Sequence, residues 1–341
     1  MEGRSQYSSG VPFLSSMDDQ KRKPYGLIWV ELSEVDWTPG PCCMSFGFDL
    51  NPLKRSIAKV GLINPPFVAR EDKGRVQVVA GYRRLMAIKS LCWNKVHCWD
   101  VSDLSPIERL HLNFYDNLTT RDFNHVEIGM VLRRLASHLP KEEIVENVMP
   151  LLGLGSHEPT LDVYLALDGL ENPIKSALAA QSLSLRTLKA LLDTDPDTRL
   201  ALLQWITNLN LNMNQQLQLI DYTIDICEKE KKRAEALFGE EAFLFILEDQ
   251  RGNRPQKAKQ LLELLRARRY PLLIRAEKLF LRKVACLRLP KGVSIKHPPY
   301  FEDPHYRLEI AFRNGRALTE KLKALFGLED LQKMGDPWSE D

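Results

Sequence analysis

At 341 residues the chain is long enough for two or three domains, each with its own core. Its formal net charge of +2 singles out no class of partner, and its six cysteines (Cys42, Cys43, Cys92, Cys98, Cys227, Cys286) form neither a C-x-x-C pair nor a His/Cys ligand spacing, which argues against a zinc site and a disulfide framework. No apolar run approaches the ~20 residues of a membrane span and the amino terminus lacks a basic-then-apolar signal, so a soluble, cytoplasmic, non-exported protein is expected.

Residues 1–23 are rich in Ser, Gly and charge, lack periodicity and read as a mobile tail. The stretch 25–32 (YGLIWVEL) has the aromatic and β-branched content of a first strand. Asn51 reads as an N-cap with Pro52 at the first helical position. Leu53, Ile57 and Val60 follow at helical spacing, and Gly61 closes the helix. Pro65-Pro66 forces an extended chain into a second strand at 67–70, and a polar turn at 71–74 leads to the central strand of the sheet.

That central strand, 76–80, is mostly apolar and β-branched and suits burial on both faces. Gly81 then turns the chain or lets a ligand approach the backbone. Arg83 and Arg84 fall in the first turn of the next helix, where the macrodipole disfavours a cation by a few tenths to about 1 kcal/mol. A bound phosphate would compensate both, since free helix N–H groups and two guanidinium forks suit a di- or triphosphate. The alternatives are solvent exposure or pairing with an acidic neighbour. A further strand is expected at 95–101, then a helix capped by Ser105 with Pro106 behind it, running to Asp116-Asn117. Those two side chains are either oxygen donors suited to a Mg²⁺-phosphate complex or an ordinary cap or turn pair.

Together, 51–68, the box Gly81-Tyr82-Arg83-Arg84-Leu85-Met86-Ala87 and Asp116-Asn117-Leu118 resemble, in order and spacing, the amino-terminal domain of ParB-type chromosome-partition proteins. The resemblance covers roughly residues 24–125 well and 126–195 loosely. It implies an α+β ParB/sulfiredoxin-like domain with a CTP-Mg²⁺ pocket, in which Gly61, Leu62, Ile63, Gly81, Tyr82, Arg83 and Arg84 bind nucleotide and Asp116 and Asn117 hold the metal. The chain also departs from the family. Asp116 stands where glutamate is usual, Thr119 and Thr120 occupy the Gln-Arg positions, and Arg121 comes one residue late. Pro41-Cys42-Cys43-Met44-Ser45 stands where a Pro-Arg pair is usual. Enzymatic activity is therefore expected to be at most that of a weak nucleoside triphosphatase.

From Asn124 the pattern turns helical, with Val126, Met130, Val131 and Leu135 as an apolar stripe. Residues 141–152, a turn at 153–159 and 160–167 sit where the family keeps its helix-turn-helix. Yet no Lys or Arg lies between Glu142 and Ile174, while Glu142, Glu143, Glu146, Glu158, Asp162, Asp168 and Glu171 do. Base reading and phosphate neutralisation need the opposite chemistry, so this reads as a degenerate helix-turn-helix within an all-α domain, 124–248. Further helices are expected at 173–180, 184–193, 196–208 and 213–232. The polar, Gly- and Pro-broken stretch 249–255 reads as a linker.

Beyond it, between Arg254 and Lys291, twelve Lys or Arg face only Glu263 and Glu277. Helices at 258–269 and 272–287, a hairpin of 293–301 with 306–313 and a helix at 317–326 make a small basic α+β domain, 249–341. Arg266, Arg268, Arg269, Arg275, Lys278, Arg282 and Lys283 are its nucleic-acid-binding candidates, although a basic face also forms simply by solvation or by pairing with acidic segments. Leu261, Leu264, Leu265 and Phe280 exceed what one or two short helices hide, which points to a homodimer unless the hairpin itself covers them.

The leading expectation is a CTP-dependent switch in DNA partition or regulation, cytoplasmic and nucleoid-associated, with DNA engaged through the tail and no membrane partner. The alternatives are an adaptor of the same fold that binds protein partners without reading DNA, and a nucleotide-using kinase or hydrolase. Sulfiredoxin-type chemistry needs a cysteine where this chain has Tyr82, and no general base for a kinase stands out.

Overall fold

In a computed structural model of the chain, residues 24–71, 74–303 and 305–335 are described, Lys333 by its backbone alone; the expected tail at 1–23 lies outside them. The chain divides at Pro196/Asp197 into two compact units, not at 123/124 and 248/249 as the sequence suggested.

The first unit is built on a mixed four-stranded sheet in the order β1-β4-β2-β3. Here β1 is Gly26–Glu31, β2 Phe67–Arg70, β3 Val76–Ala80 and β4 Lys95–Asp100. β4 pairs antiparallel with β1, setting Val96 opposite Val30, and runs parallel to β2; β2 pairs antiparallel with β3, setting Val68 opposite Val78. Alternation sends Val30, Val68, Val78, Val96 and Cys98 to one face, where they meet Ile57 of α1 (Asn51–Val60) and Leu85 and Ile88 of α2 (Tyr82–Ser90). The other face carries Ala69 and Val79, covered by Leu112 of α3 (Pro106–Thr120) together with Val101 and Cys42. Each such apolar side chain contributes roughly 1.5–3 kcal/mol through burial.

Two local expectations are corrected. β3 is an edge strand, because β4 inserts beside β2 and takes the centre. It is buried all the same: Val76 exchanges backbone hydrogen bonds with Glu34 and Asp36 (2.9 Å each), and the Asn113 amide of α3 donates to the Val79 carbonyl. At α1 the cap position is Leu50, and Asn51 is the first helical residue, its N–H donating to Asp49 Oδ1 at 2.9 Å. By contrast α3 begins as expected, Ser105 and Glu108 forming a reciprocal capping box.

α4 (His125–Leu135) opens with a second capping box, Asn124 with Glu127. The segment expected as one helix over 141–152 is a short α5 (Lys141–Glu143), a π-helical turn Ile144–Val148 and a 3₁₀ turn Met149–Leu152, because Pro150 lacks the N–H that would continue the α ladder. Gly153, at φ 72°, ends it. α6 (Glu158–Ala166), α7 (Asn172–Ala179) and α8 (Leu185–Leu192) complete the unit. α4 packs on α6 through Gly129, where a Cβ would lie 3.0 Å from the Tyr164 carbonyl oxygen and 2.8 Å from Leu167.

The second unit holds α9 (Pro196–Leu209), α10 (Met213–Glu230), α11 (Ala234–Phe238), α12 (Glu241–Glu248), α13 (Arg254–Arg269) and α14 (Pro271–Cys286). A hairpin of β5 (Val293–Lys296) with β6 (Arg307–Ile310), then α15 (Gly315–Phe326), follow. α11 and α12 were not anticipated. The stretch expected as a linker over 249–255 is a loop at 249–253 running into α13, which returns to pack on α10 and α12 within this unit. That packing buries Leu261 and Leu265, and Phe301 covers Phe280, so these residues create no demand for a partner. Among the described residues no helix is long and apolar enough to cross a membrane.

Candidate nucleotide-binding site

Three segments remote in sequence converge on one cleft of about 240 Å³: Asn64, the turn Gly81–Arg84, and the last turn of α3 from Asn113 to Arg121, with Met44 and Ser45 closing a side. Gly81 is the hinge of this arrangement. Its left-handed backbone (φ 89°, ψ 24°) turns β3 straight into α2, no side chain caps the helix, and a Cβ there would stand 2.9 Å from Arg84 Nε. The first N–H groups of α2 lack helical partners, which suits an anion.

Both arginines already have carboxylate partners, the pairing with an acidic neighbour that the sequence left open beside a bound phosphate. Arg84 donates to the Asn64 and Pro65 carbonyls (3.0 and 3.4 Å) and to Asp116 Oδ2 (2.9 Å), tying all three segments together. Arg83 donates to Glu127 and lies 4.8 Å over the Phe48 ring, yet its Nε is buried without an acceptor.

Glu127, which sequence reasoning passed over, is the hub. Only 1% exposed, it accepts from Arg83, from Arg121 (2.6 Å), and from the backbone N–H groups of Phe46 (3.0 Å) and Asn124 (3.2 Å). The Asn124-x-x-Glu127 spacing is that of a capping box, a signal the sequence offered for a helix start and not for burial between two guanidiniums. Arg121, one residue late by the family pattern, reaches the site all the same. It ends α3 in extended conformation (φ −161°, ψ 162°) and donates to Asn117 Oδ1, Glu127 Oε2 and the Met44 carbonyl, each at 2.6 Å. Burial pushes its guanidinium below the usual arginine range, with Glu127 pulling the other way. The cleft thus sets three guanidiniums against two carboxylates, leaving one positive charge over.

Of the sequence candidates, Gly81, Tyr82, Arg83, Arg84, Asp116 and Asn117 line the cleft. Gly61, Leu62 and Ile63 do not: Gly61 ends α1 at φ 80°, Leu62 packs on the sheet core, and Ile63 is 75% exposed. From that stretch it is Asn64 that reaches the cleft. The two metal candidates are engaged by arginines, Asp116 through Oδ2 and Asn117 through Oδ1. Among the described residues no three His, Cys, Asp or Glu side chains group as a metal site. Cys42 and Cys43 lie buried beside the cleft, and burial drives the Cys42 thiol up to about 11, so it stays protonated.

The basic tail divides in two. Arg266 forms a two-pronged pair with Glu277 (2.5 and 3.0 Å), Arg268 is gripped by Glu230 and Glu240, and Arg269 by Asp221 and Asp225. These three are committed within the unit. Arg275, Lys278 and Arg282 lie exposed along α14, with Lys283 half-buried. In the first unit, α6 exposes Glu158 and Asp162, both paired to Lys141 (3.8 and 2.9 Å).

The family model for the ParB N-terminal domain matches residues 47–118, which include the turn at Gly81 and the end of α3. The nucleoid occlusion proteins of Bacillus thuringiensis (strain Al Hakam) and Bacillus cereus (strain B4264) are each 26% identical over 208 residues, 59% of this chain and 69% of theirs. Solved structures align more loosely. The truncated ParB of Caulobacter crescentus, complexed with CTP-gamma-S, covers 53% of this chain and 99% of its own at 21% identity and TM-score 0.26; a Pnob8-like ParB-N domain covers 71% and 98% at 18% and 0.34. At such TM-scores the superpositions establish no common arrangement over the aligned length. The match, with the sheet and the glycine turn inside it, gives residues 47–118 of this chain a ParB N-terminal domain.

Proposed function

We propose that the chain is a nucleotide-gated, DNA-associated switch whose cleft takes CTP with Mg²⁺. The observation that carries this is the convergence of Asn64, Gly81–Arg84 and Asp116–Arg121 on one cleft at an uncapped helix N-terminus. In this reading the triphosphate lies against the first turn of α2, Arg83 and Arg84 turn to it, and the buried Arg83 Nε gains an acceptor. CTP is the nucleotide that the family resemblance implies. The donor set fits a metal that arrives with phosphate: one carboxylate and one amide supply oxygens, and phosphate and water would supply the rest. Mg²⁺ so bound would neutralise charge on the phosphates. The name of the Bacillus relatives, nucleoid occlusion protein, supports a place on DNA. Here the contact with DNA is made by the exposed cations of α14 and reads no sequence.

Titration calorimetry of the full chain with CTP, ATP, GTP and UTP in Mg²⁺ tests the switch: CTP should bind and the others weakly or not. Heat from none of the four would discard the pocket. A second reading, an adaptor that holds a protein partner, is favoured by the acidic face of α6, with Glu158 and Asp162 where a DNA-reading helix needs cations. It becomes the better one if the chain binds neither nucleotide nor DNA.

A further inference from the structure

The first unit holds a second cavity, of about 480 Å³, and none of the residues that line it belongs to the nucleotide cleft. Arg109 comes to it from α3, Arg133 and Arg134 from the last turn of α4, and His138 from the turn that follows. Pro41 and Leu110 add apolar lining. Three guanidiniums meet two carboxylates here, and neither carboxylate closes a tight pair. Glu71 lies 3.3 Å from Arg109 and is half exposed, and Asp168 lies 3.9 Å from Arg133 with both side chains mostly in solvent. Loose pairs open to water hold little.

Arg134 is the cation left over. Among the described residues it reaches no carboxylate: its Nε donates to the Pro41 carbonyl (2.5 Å) and its Nη1 to the Met130 carbonyl (3.1 Å), and its Nη2 has no acceptor. Burial pushes its guanidinium below the usual arginine range, with Cys43, Cys42 and Asp168 pulling the other way. Arg109 donates to the Ser102 carbonyl through Nη2 (2.8 Å), and its buried Nε has no acceptor. Cys42 lies close enough for both guanidiniums to act on its thiol, although burial dominates there and keeps it protonated. A charge drawn out of water and met only by carbonyl dipoles is short of a counter-anion. Arg269, whose Nε is equally without an acceptor, differs in being held by two aspartates.

We infer that this cavity binds a phosphate dianion, either the free ion or the head of a phosphorylated small molecule. The phosphate sits between Arg109 and Arg134, where guanidinium forks accept its oxygens in pairs, and the body of an ester rests on Pro41 and Leu110. The volume is that of a small-molecule site. A duplex backbone is not the occupant, because Arg109 is only 14% exposed and its phosphate has to enter as an end group. The inference stands apart from the nucleotide reading and survives its failure.

Calorimetric titration of the full chain with inorganic phosphate and with glycerol 3-phosphate, against acetate at the same ionic strength, tests it. Both phosphates should bind, and acetate at least about tenfold more weakly. Whichever phosphate binds more tightly identifies the ligand as free ion or ester. Arg134→Gln should weaken phosphate binding by about ten- to a hundredfold, the loss of one charge-assisted contact. Arg133→Gln, at an exposed position, should weaken it less, and Arg84→Ala, which disables the cleft, should keep it. Circular dichroism with a thermal melt checks that each variant folds. Phosphate should also shift the His138 imidazole resonance of the parent, assigned through His138→Gln, so the proposal can be broken even if Arg134→Gln does not fold. Binding that survives in Arg134→Gln and vanishes in Arg84→Ala would put the anion in the nucleotide cleft and overturn the proposal. So would acetate binding as tightly as phosphate, no heat from either phosphate, or a His138 resonance that phosphate leaves in place.

Discussion

Two regions of this protein concentrate arginine, and they use it differently. On α13, Arg268 is held by both Glu230 and Glu240 at 2.5–2.9 Å, and that pairing, with Glu230 first, lifts its guanidinium above the ordinary arginine range. At the cleft, Arg121 has a carboxylate and two carbonyl-type acceptors at 2.6 Å, yet burial outweighs them and pushes it below that range. Arg83 keeps a buried Nε with nothing to donate to. Arg268 is saturated, whereas Arg83 in the cleft, like Arg269 at the end of α13, is held by carboxylates and still keeps a buried Nε without an acceptor. Density of positive charge along a sequence does not by itself locate an anion site.

The sharpest way to break this contrast is to remove the hub. Glu127→Ala leaves Arg83 and Arg121 facing each other without their shared carboxylate and strips the α4 cap, so it should cost about 3–5 kcal/mol in urea unfolding. A loss comparable to that of an exposed substitution would show that the buried bridge holds nothing together. The arginines themselves come next. Arg83→Ala and Arg84→Ala should each weaken CTP-Mg²⁺ binding by roughly ten- to a hundredfold, the effect of a lost charge-assisted phosphate contact of ~1.5–3 kcal/mol. They should differ in the free protein. Arg83→Ala exposes Glu127 to an incomplete set of donors and should lower the melting temperature. Arg84→Ala gives up a partly exposed pair and should lower it less. Unchanged affinity in both variants would return the cleft to a purely structural role.

Much of this frame was legible in the sequence, and the failures share a cause. β2 and β3 fall on the expected residues because their β-branched runs are bounded by Pro65-Pro66 and Gly81, and the cap of α3 is a local pattern that reports itself. What was missed is long-range. The central position of β4 depends on pairing across 67 and 99, and the role of Glu127 depends on residues 83, 121 and 46 arriving at one point. Arg266, Arg268 and Arg269 looked free because their partners sit on other elements, as far back as Asp221. Gly61, Leu62 and Ile63 were carried over from a motif, and the turn after α1 puts only their neighbour Asn64 at the cleft.

The saturated side of the comparison has its own signature in acid. Arg268, then Lys232, hold the Glu240 carboxyl down at about 2 against its ordinary 4.5, and Glu230 is lowered by Arg268 in the same way. A depressed carboxyl contributes stability that is complete above its unfolded value and is lost as pH falls through the folded one. The second unit should therefore weaken between about pH 4.5 and about pH 2. Arg268→Met should melt below the parent at neutral pH, and the gap should close through that window. A gap that persists to pH 2 would mean the arginine acts by packing rather than by charge.

The smallest effects are expected at exposed cations outside the cleft. Lys278 and Arg282 lie exposed on α14, on a face that also shows Leu281. A helix face of this kind neutralises phosphates without reading bases, so its contribution is additive and salt-dependent. Replacing Lys278 or Arg282 by Gln should leave the melting temperature unchanged. Each replacement should reduce the slope of log affinity against log salt by about one, equally for any duplex sequence. The matching changes at Arg266 or Arg269 should leave that slope alone and lower stability instead, since their charge is already spent on Glu277, Asp221 and Asp225. If the paired arginines move the slope as much as the exposed ones, the ion pairs open on DNA and the division between saturated and available cations does not hold in this unit.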